Sequence, residues 1–422
     1  MADDRRDPGP ALLGRPWEVG SSFPLHLPAE PDWAGTPAHP DPAPTYGELF
    51  GSGRQALRAL VEFGRREYGW TALHLPAYYC DDVVDAVVDV LPVRRYPVGP
   101  TGGTPPVAEP TDAVVAVSYF GAPPVVPAAS GATLVVDATH DPRAPWLASV
   151  RADYVFASLR KTLPLPDGGA LWSDTGRPVP PAGPPTARHL GLVDRVLSAM
   201  YLKAAYLAGG PVDKEQYLAR YAAGEDLFRD SGVSGISELS RQMLRVLPVD
   251  RLRRRRIENA ALLAAGLSGL SGLRARAHTL GVVLEFDSHR RREAVRQALV
   301  DRRVYPAVLW RLGLDPAPTD RLPVELTMDE RVGFSRRMLF LHTDYRSTGS
   351  DLARVAELVR EIHPATAANA VPTGGGGVPK AVPADGGGAV PKAVPADGGG
   401  AVPKVIPTDG GVPSSSRRGE PC

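Results

Sequence analysis

At 422 residues, the chain is long enough for two or three domains; its 48 basic and 47 acidic side chains leave a net charge of +1, which suits neither nucleic acid nor an anionic membrane as partner. No apolar run reaches the roughly 18 residues that span a bilayer, and the charged start is unlike a signal peptide, so a soluble cytoplasmic protein is expected. Cys80 and Cys422 cannot build a disulfide framework, and no Cys/His cluster has zinc-site spacing, so no metal is expected.

Residues 1–45 are Pro-rich, with scattered anchors at Trp17, Phe23 and Trp33, and read as an extended arm draped over the fold. Strand and helix patterns then alternate. Residues 53–68 have apolar positions at helical spacing, 71–75 read as a strand and 81–90 as a helix. Residues 113–120, 133–136 and 154–157 are continuous β-branched or aromatic runs, the pattern of a mainly parallel sheet covered on both faces. The expected large α/β domain occupies 46–246, closing with an Ala- and Arg-rich helical stretch from 190 to 243. A smaller α+β domain is expected over 247–364, from strands at 281–286, 304–310 and 338–342 and helices at 289–302 and 350–362. From Val371 the chain is almost all Gly, Pro, Ala and Val, with Val-Pro-Lys recurring at 378, 390 and 402; residues 365–422 read as disordered because they cannot bury enough surface to offset chain entropy.

Only six lysines are present, and three of them, Lys380, Lys392 and Lys404, lie in that tail. Of the others, Lys203 sits in an Ala-rich helix and Lys214 in a polar turn, whereas Lys161 follows a buried strand at the edge where open α/β sheets place ligands. A lysine there is either a solvated loop residue or a desolvated amine able to form a Schiff base. Asp137 ends another apolar strand in Asp137-Ala138-Thr139-His140, where a carboxylate either caps a turn or meets a charged partner such as a protonated pyridine nitrogen. His140 could contact the same ring. Gly51-Ser52-Gly53-Arg54-Gln55 opens a helix, either as plain capping or as a phosphate site made of free amides at the positive dipole end. The same run matches a dinucleotide fingerprint, but residues 46–50 make no convincing strand and no ribose-binding carboxylate follows at the expected place. Tyr78 and Tyr79, after the 71–75 strand, either pack or offer a face to a planar ring. The run Arg253–Arg256 reads as a solvated helix face, and no Gly-x-Ser-x-Gly, Gly-Lys-Ser/Thr or His-Glu-x-x-His motif is present.

Taken in order, phosphate loop, aromatic, Asp and a lysine 24 residues after it, the sequence resembles fold-type-I pyridoxal-phosphate enzymes, and among them the DegT-like sugar aminotransferases. The resemblance covers about Tyr46 to Ile362 and is carried by Ser-Gly-x-x-Ala-Leu at 52–57, Asp-Ala-x-His at 137–140 and Lys161 with Asp167-Gly168-Gly169. Arg256, Asn259 and the run Val304–Trp310 are weaker echoes. The resemblance implies an aspartate-aminotransferase-like large domain with pyridoxal 5'-phosphate as cofactor. Lys161 would form the Schiff base and move a proton, Asp137 would pair with the ring nitrogen, and His140 would lie beside the ring. Gly53, Arg54 and Gln55 would bind phosphate through their amides with Ser158 adding a hydroxyl, and Tyr78 or Tyr79, or Cys80 after a small shift, would stack on the ring. It also implies a homodimer with the site at the interface and a small-molecule substrate.

Two departures matter. The segment before Lys161 is about two residues shorter than the family's Ser-Phe-x-x-x-Lys loop, and the family's Asn-Tyr-Arg segment has no counterpart around 231–241. Arg346 in Asp344-Tyr345-Arg346 could instead clamp a substrate carboxylate, or simply be solvated. The expected activity is amino transfer from an amino acid to a keto or aldehyde acceptor. The alternatives are a dehydratase, decarboxylase or lyase reaction on the same cofactor, or a non-catalytic scaffold.

Overall fold

The segment Gly53–Glu67 folds as the amphipathic helix its spacing predicts: Ser52 caps it by accepting from the Gln55 amide (3.2 Å), and Ala56, Leu57, Leu60 and Val61 are fully buried along one face. The computed structural model describes residues 15–26, 46–128, 131–230, 232–310 and 328–368. All described residues belong to one compact unit.

Six strands form the principal sheet: β1 (Ala72–Pro76), β2 (Val93–Tyr96), β3 (Asp112–Val117), β4 (Thr133–Asp137), β5 (Tyr154–Ser158) and β6 (Gly169–Trp172), in the order β6-β5-β4-β3-β1-β2. All neighbours are parallel except β6, which runs antiparallel to β5 with Gly169 opposite Ser158. The central strands are buried along nearly their whole length, which is why they read as unbroken apolar runs and not as alternating ones. A second sheet, β7 (Leu273–Ala277), β8 (Gly281–Phe286) and β9 (Met338–His342), is antiparallel in the order β7-β8-β9. One large apolar core joins residues of both sheets, such as Val115 and Leu284, with residues of the flanking helices, such as Leu57 and Val355. The mainly parallel sheet, with a smaller α+β part, is the expected fold class.

Several elements differ from the sequence expectation. The 81–90 segment is helical only over Asp81–Asp85, because five valines within it disfavour the helical χ1 state. The strand expected through Phe120 stops at Val117, and Phe120 takes a left-handed φ of 56° in the turn that follows. The strand expected over 304–310 is limited to Val304–Tyr305, since Pro306 has no amide to continue a ladder. The stretch 190–243 is three helices, Ala187–Leu207, Lys214–Asp230 and the start of Glu238–Val246, separated at glycine-containing turns. β2, β6 and β7 were not anticipated, and a short strand at Glu48–Phe50 does precede the Gly51–Gly53 turn, contrary to expectation.

Of the Pro-rich arm, residues 15–26 do lie extended across the fold. Val19–Gly20 pairs in parallel with Val304–Tyr305, the Trp17 indole donates to Asp351 (2.7 Å), and the Leu25 amide donates to the Met200 carbonyl (2.8 Å). Trp33 and residues 369–422, including the repeats, lie outside the described residues. The final helix, Gly349–Ala368, runs past the boundary expected at 364.

Candidate active site

Asp137 is the last residue of β4, Tyr79 lies three residues beyond β1 and Lys161 three beyond β5, so all three converge at the carboxyl edge of the parallel sheet. The edge is pinned by its own polar groups. The Ser158 amide donates to the Thr139 hydroxyl (3.0 Å) and the Ala138 amide to the Phe156 carbonyl (2.9 Å), fixing the turn after β4 against the end of β5. Within that turn the Thr139 amide donates to Asp137 Oδ1 (2.9 Å), the local turn contact expected of an aspartate there. The Tyr79 hydroxyl donates to Asp137 Oδ2 (2.6 Å). Burial pushes the Asp137 carboxyl above its ordinary range, although both hydrogen bonds oppose the shift.

The N-terminus of the Gly53–Glu67 helix abuts the same edge. A Cβ on Gly53 would stand 3.0 Å from Ser158, so glycine permits the close approach of helix and strand end. Gly168 has a φ of 137°, and a Cβ on Gly169 would overlap the Ser52 backbone, which accounts for both glycines of Asp167-Gly168-Gly169. Asp167 itself is fully buried as a hub: it accepts from the Ser237 amide (2.8 Å) and hydroxyl (2.7 Å) and from the Ser240 hydroxyl, and it pairs with His189 Nε2 (2.9 Å). Of the three amides expected to bind phosphate, that of Gln55 is taken by the Ser52 hydroxyl.

Lys161 is exposed, whereas the Arg160 and Glu225 side chains beside it are largely shielded, at 14% and 26% exposure. Its amine is held below the ordinary lysine value by desolvation first and by the neighbouring Arg160 cation second. Arg160 forms a bidentate pair with Glu225 (2.5 and 2.8 Å) and stacks over Phe228 (4.2 Å). Arg54 reaches Asp82 (3.3 Å) and Glu225 (3.8 Å) from the helix terminus. Burial pushes the Cys80 thiol up to about 11, with Asp82 adding to it, so Cys80 stays protonated.

The aromatic residues divide. Tyr78 packs against Tyr119, Trp310 and Phe334 at 5.5 to 5.8 Å, with its hydroxyl donated to the Leu309 carbonyl, so it belongs to the core. Tyr79 is fully buried and presents its hydroxyl to Asp137 while Trp310 meets its ring edge-on at 5.7 Å. His140 Nδ1 accepts from the Phe120 amide (2.9 Å) and its ring lies nearly parallel to Trp310 (5.9 Å, 25°). Burial, with Lys161 nearby, lowers the His140 pKa to about 3, so the imidazole is neutral. Trp310 and Thr139 are the site neighbours that the sequence reading did not single out. The aromatic residue ending the Val304–Trp310 run was the available signal for the first.

Arg346 is engaged elsewhere. It forms a bidentate pair with Asp344 (2.7 and 2.9 Å), donates to the carbonyls of Ser21 (3.1 Å) and Ser22 (3.0 Å), and lies over Phe23 (4.7 Å), which ties down the N-terminal segment. The Arg253–Arg256 run is solvated only in part. Arg254 and Arg255 are exposed, but helical spacing turns Arg253 toward Asp141 (2.8 and 2.7 Å) and Arg256 inward to the Thr162 carbonyl (2.6 Å). Asn259, one turn on, donates to the carbonyls of Asp344 and Ser347 (both 3.1 Å).

No family model and no curated protein matches the chain. Solved structures do. Spr1654 from Streptococcus pneumoniae, in its PLP-form, is 12% identical over 83% of this chain and 100% of that chain, with a TM-score of 0.53. The sugar aminotransferase CalS13 from Micromonospora echinospora is 17% identical over 74% of this chain and 86% of that one, with a TM-score of 0.50. This is the fold-type-I architecture. The likeness is one of fold, so a function has to be argued from the side chains at the sheet edge. A buried carboxyl suited to a pyridine nitrogen, a helix N-terminus with close-packed Gly53 and Ser158, and a lysine of lowered pKa together fit a pyridoxal-phosphate cofactor. Among the described residues, no group of His, Cys, Asp and Glu could hold a metal ion, and no helix is long and apolar enough to cross a membrane.

Proposed function

We propose that the protein is a pyridoxal-phosphate-dependent aminotransferase that takes an amino group from an amino acid donor and delivers it to a keto or aldehyde acceptor. A nucleotide-linked keto sugar is the acceptor class proposed, supported by the shared fold with a protein named as a sugar aminotransferase. The observation that carries the reading is the convergence of Asp137, the start of the Gly53–Glu67 helix and Lys161 at one sheet edge.

When bound, the cofactor supplies the electron sink that carries the amino group. In this reading Asp137 holds its ring nitrogen, the Gly53 and Arg54 amides with the Ser158 hydroxyl hold its phosphate, and neutral His140 lies beside the ring. Lys161 anchors it and moves the proton at the substrate α-carbon. Lowering of the lysine pKa enlarges the fraction of free amine at neutral pH, the form needed both for attachment and for accepting a proton. Closure of β5 and β6 around Gly168 and Gly169 keeps the Lys161 loop in register with the helix N-terminus.

Borohydride reduction followed by mass mapping of the purified protein tests the reading. A reduced pyridoxyl adduct on Lys161, absent in Lys161→Ala, is the expected result; a protein that takes up no pyridoxal phosphate, or carries it on another lysine, overturns it. A cytoplasmic homodimer with the site at the subunit interface goes with the proposal, supported by the resemblance of 52–57, 137–140 and 161–169 to the DegT-like enzymes. Light scattering that gave a monomer at micromolar concentration would remove that part.

A further inference from the structure

Tyr79 was expected to stack on a ring, yet its hydroxyl is spent on Asp137 at 2.6 Å, the length of an O–H bond to an ionised acceptor. The phenol and the carboxyl are both buried, at 0% and 6% exposure. The surroundings leave Asp137 few other influences. From the β3 and β5 sides it receives backbone contacts, the Ser118 amide to its carbonyl and its register with Phe156, and the Thr139 amide takes Oδ1. Among the described residues, no Lys, Arg or His forms an ion pair with Asp137; the Tyr119 phenol on the adjoining turn is a further titratable neighbour, and His140 and Lys161 lie at the same sheet edge. A carboxylate has about four lone-pair sites, so two stay available after Thr139 and Tyr79 are counted.

We propose that Tyr79 is a positioning residue whose hydroxyl orients Asp137 and favours its ionised form, so that the Tyr79–Asp137 pair, and not Asp137 alone, sets how tightly a pyridine N–H is held. The proposal rests on the pyridoxal-phosphate reading and deepens it. Tyr79 stabilises the negative carboxylate that a protonated ring nitrogen requires. Without the hydroxyl the buried carboxyl meets that nitrogen at greater cost, while a ring lacking the nitrogen is indifferent to the change.

The test is equilibrium binding of pyridoxal phosphate and of its 1-deaza analogue, which has carbon in place of the ring nitrogen, to the full-length protein. Wild type is expected to prefer pyridoxal phosphate, Asp137→Asn to lose the preference, and Tyr79→Phe to reduce it about tenfold, the scale of one hydrogen bond to a charged group. Fluorotyrosine at position 79, a stronger donor of nearly the same shape, should raise the preference and decides the matter if Tyr79→Phe does not fold. Equal weakening of both ligands in Tyr79→Phe, or an unchanged ratio with fluorotyrosine, overturns the proposal and leaves a packing role. A wild-type protein that binds neither compound overturns instead the cofactor reading beneath it.

Discussion

Glu225 is the carboxylate on which the cations around Lys161 depend: Arg160 and Arg54 both reach it, and Arg160 first, then Lys161 and Arg54, lower its pKa to about 2 in spite of burial. A carboxyl depressed in the fold stabilises it above the unfolded pKa and loses that contribution as pH falls through the folded one. The Glu225 contribution should therefore be complete above pH 4.5 and vanish toward pH 2. Glu225→Gln is expected to cost about 3 kcal/mol at pH 7, the low end for breaking a buried pair, because 26% of the side chain meets water. Urea denaturation at pH 7 and pH 3 measures it, and the deficit should shrink at the lower pH. Because Glu225 is also the charge that raises the Lys161 pKa, the same variant should move the pH profile of Lys161 acetylation further down. Asp137 has the opposite sign. Its folded pKa is raised, so its burial favours the fold only while it is protonated and opposes it as pH rises past the unfolded value of 3.8. Without cofactor, Asp137→Asn should melt a few °C above wild type at pH 7, the trade of stability for function that the proposed role of Asp137 entails. A lower melting temperature would mean that the two hydrogen bonds outweigh the desolvation.

At the scale of elements, the extended segment 15–26 joins parts of the chain that are distant in sequence. Glu18, 3% exposed, pairs with fully buried Lys203 (2.9 Å) and with Lys214 (3.0 Å); Lys203 also donates to the Ser21 hydroxyl (2.6 Å) and the Ser22 carbonyl (2.7 Å). Burial, with Arg346 nearby, lowers the Lys203 pKa to about 8, so the amine is mostly charged at pH 7 and mostly neutral above pH 9. Glu18→Gln should then cost about 3–5 kcal/mol at pH 7, by leaving a buried ammonium unpaired, and less at pH 9.5, where that ammonium has given up its proton. An equal cost at both pH values would assign the loss to packing. The Val249–Gly266 helix is a second such connector. Its inward Arg256 and Asn259 hold the Thr162 carbonyl next to Lys161 at one end and the turn after β9 at the other. The sequence showed these residues as echoes of a motif, and the helical repeat of 3.6 explains why they share a face with Arg253 while Arg254 and Arg255 point to water.

For the molecule as a whole, the described fold ends in the Gly349–Ala368 helix, and residues 369–422 add almost no apolar side chain larger than valine. Cutting the chain after Ala368 should leave the denaturation midpoint and the association state unchanged; a lower midpoint would give the repeats a structural part. The sheet was legible in outline because buried parallel strands must be almost continuously apolar, and 113–117, 134–136 and 154–157 are apolar or aromatic throughout. Its antiparallel β6 was not legible, since Gly169–Trp172 carries one small turn-like residue and three ordinary ones and owes its place to pairing with β5.

Composition and local pattern determined by themselves the class of the fold, the helix opening at Gly53, and the placement of Asp137 and Lys161 at the ends of buried strands, because a carboxylate and a rare lysine there are unusual wherever those strands end up. Partnership was decided only by the tertiary structure. That Tyr79 donates to Asp137 across 58 residues, that Arg160 pairs with Glu225 across 65, and that Arg346 ties the N-terminal segment across 324 depends on which loops the sheet order brings side by side. Hydrogen bonds and ion pairs are short-ranged, and no local pattern in the chain records a neighbour supplied by a distant crossover.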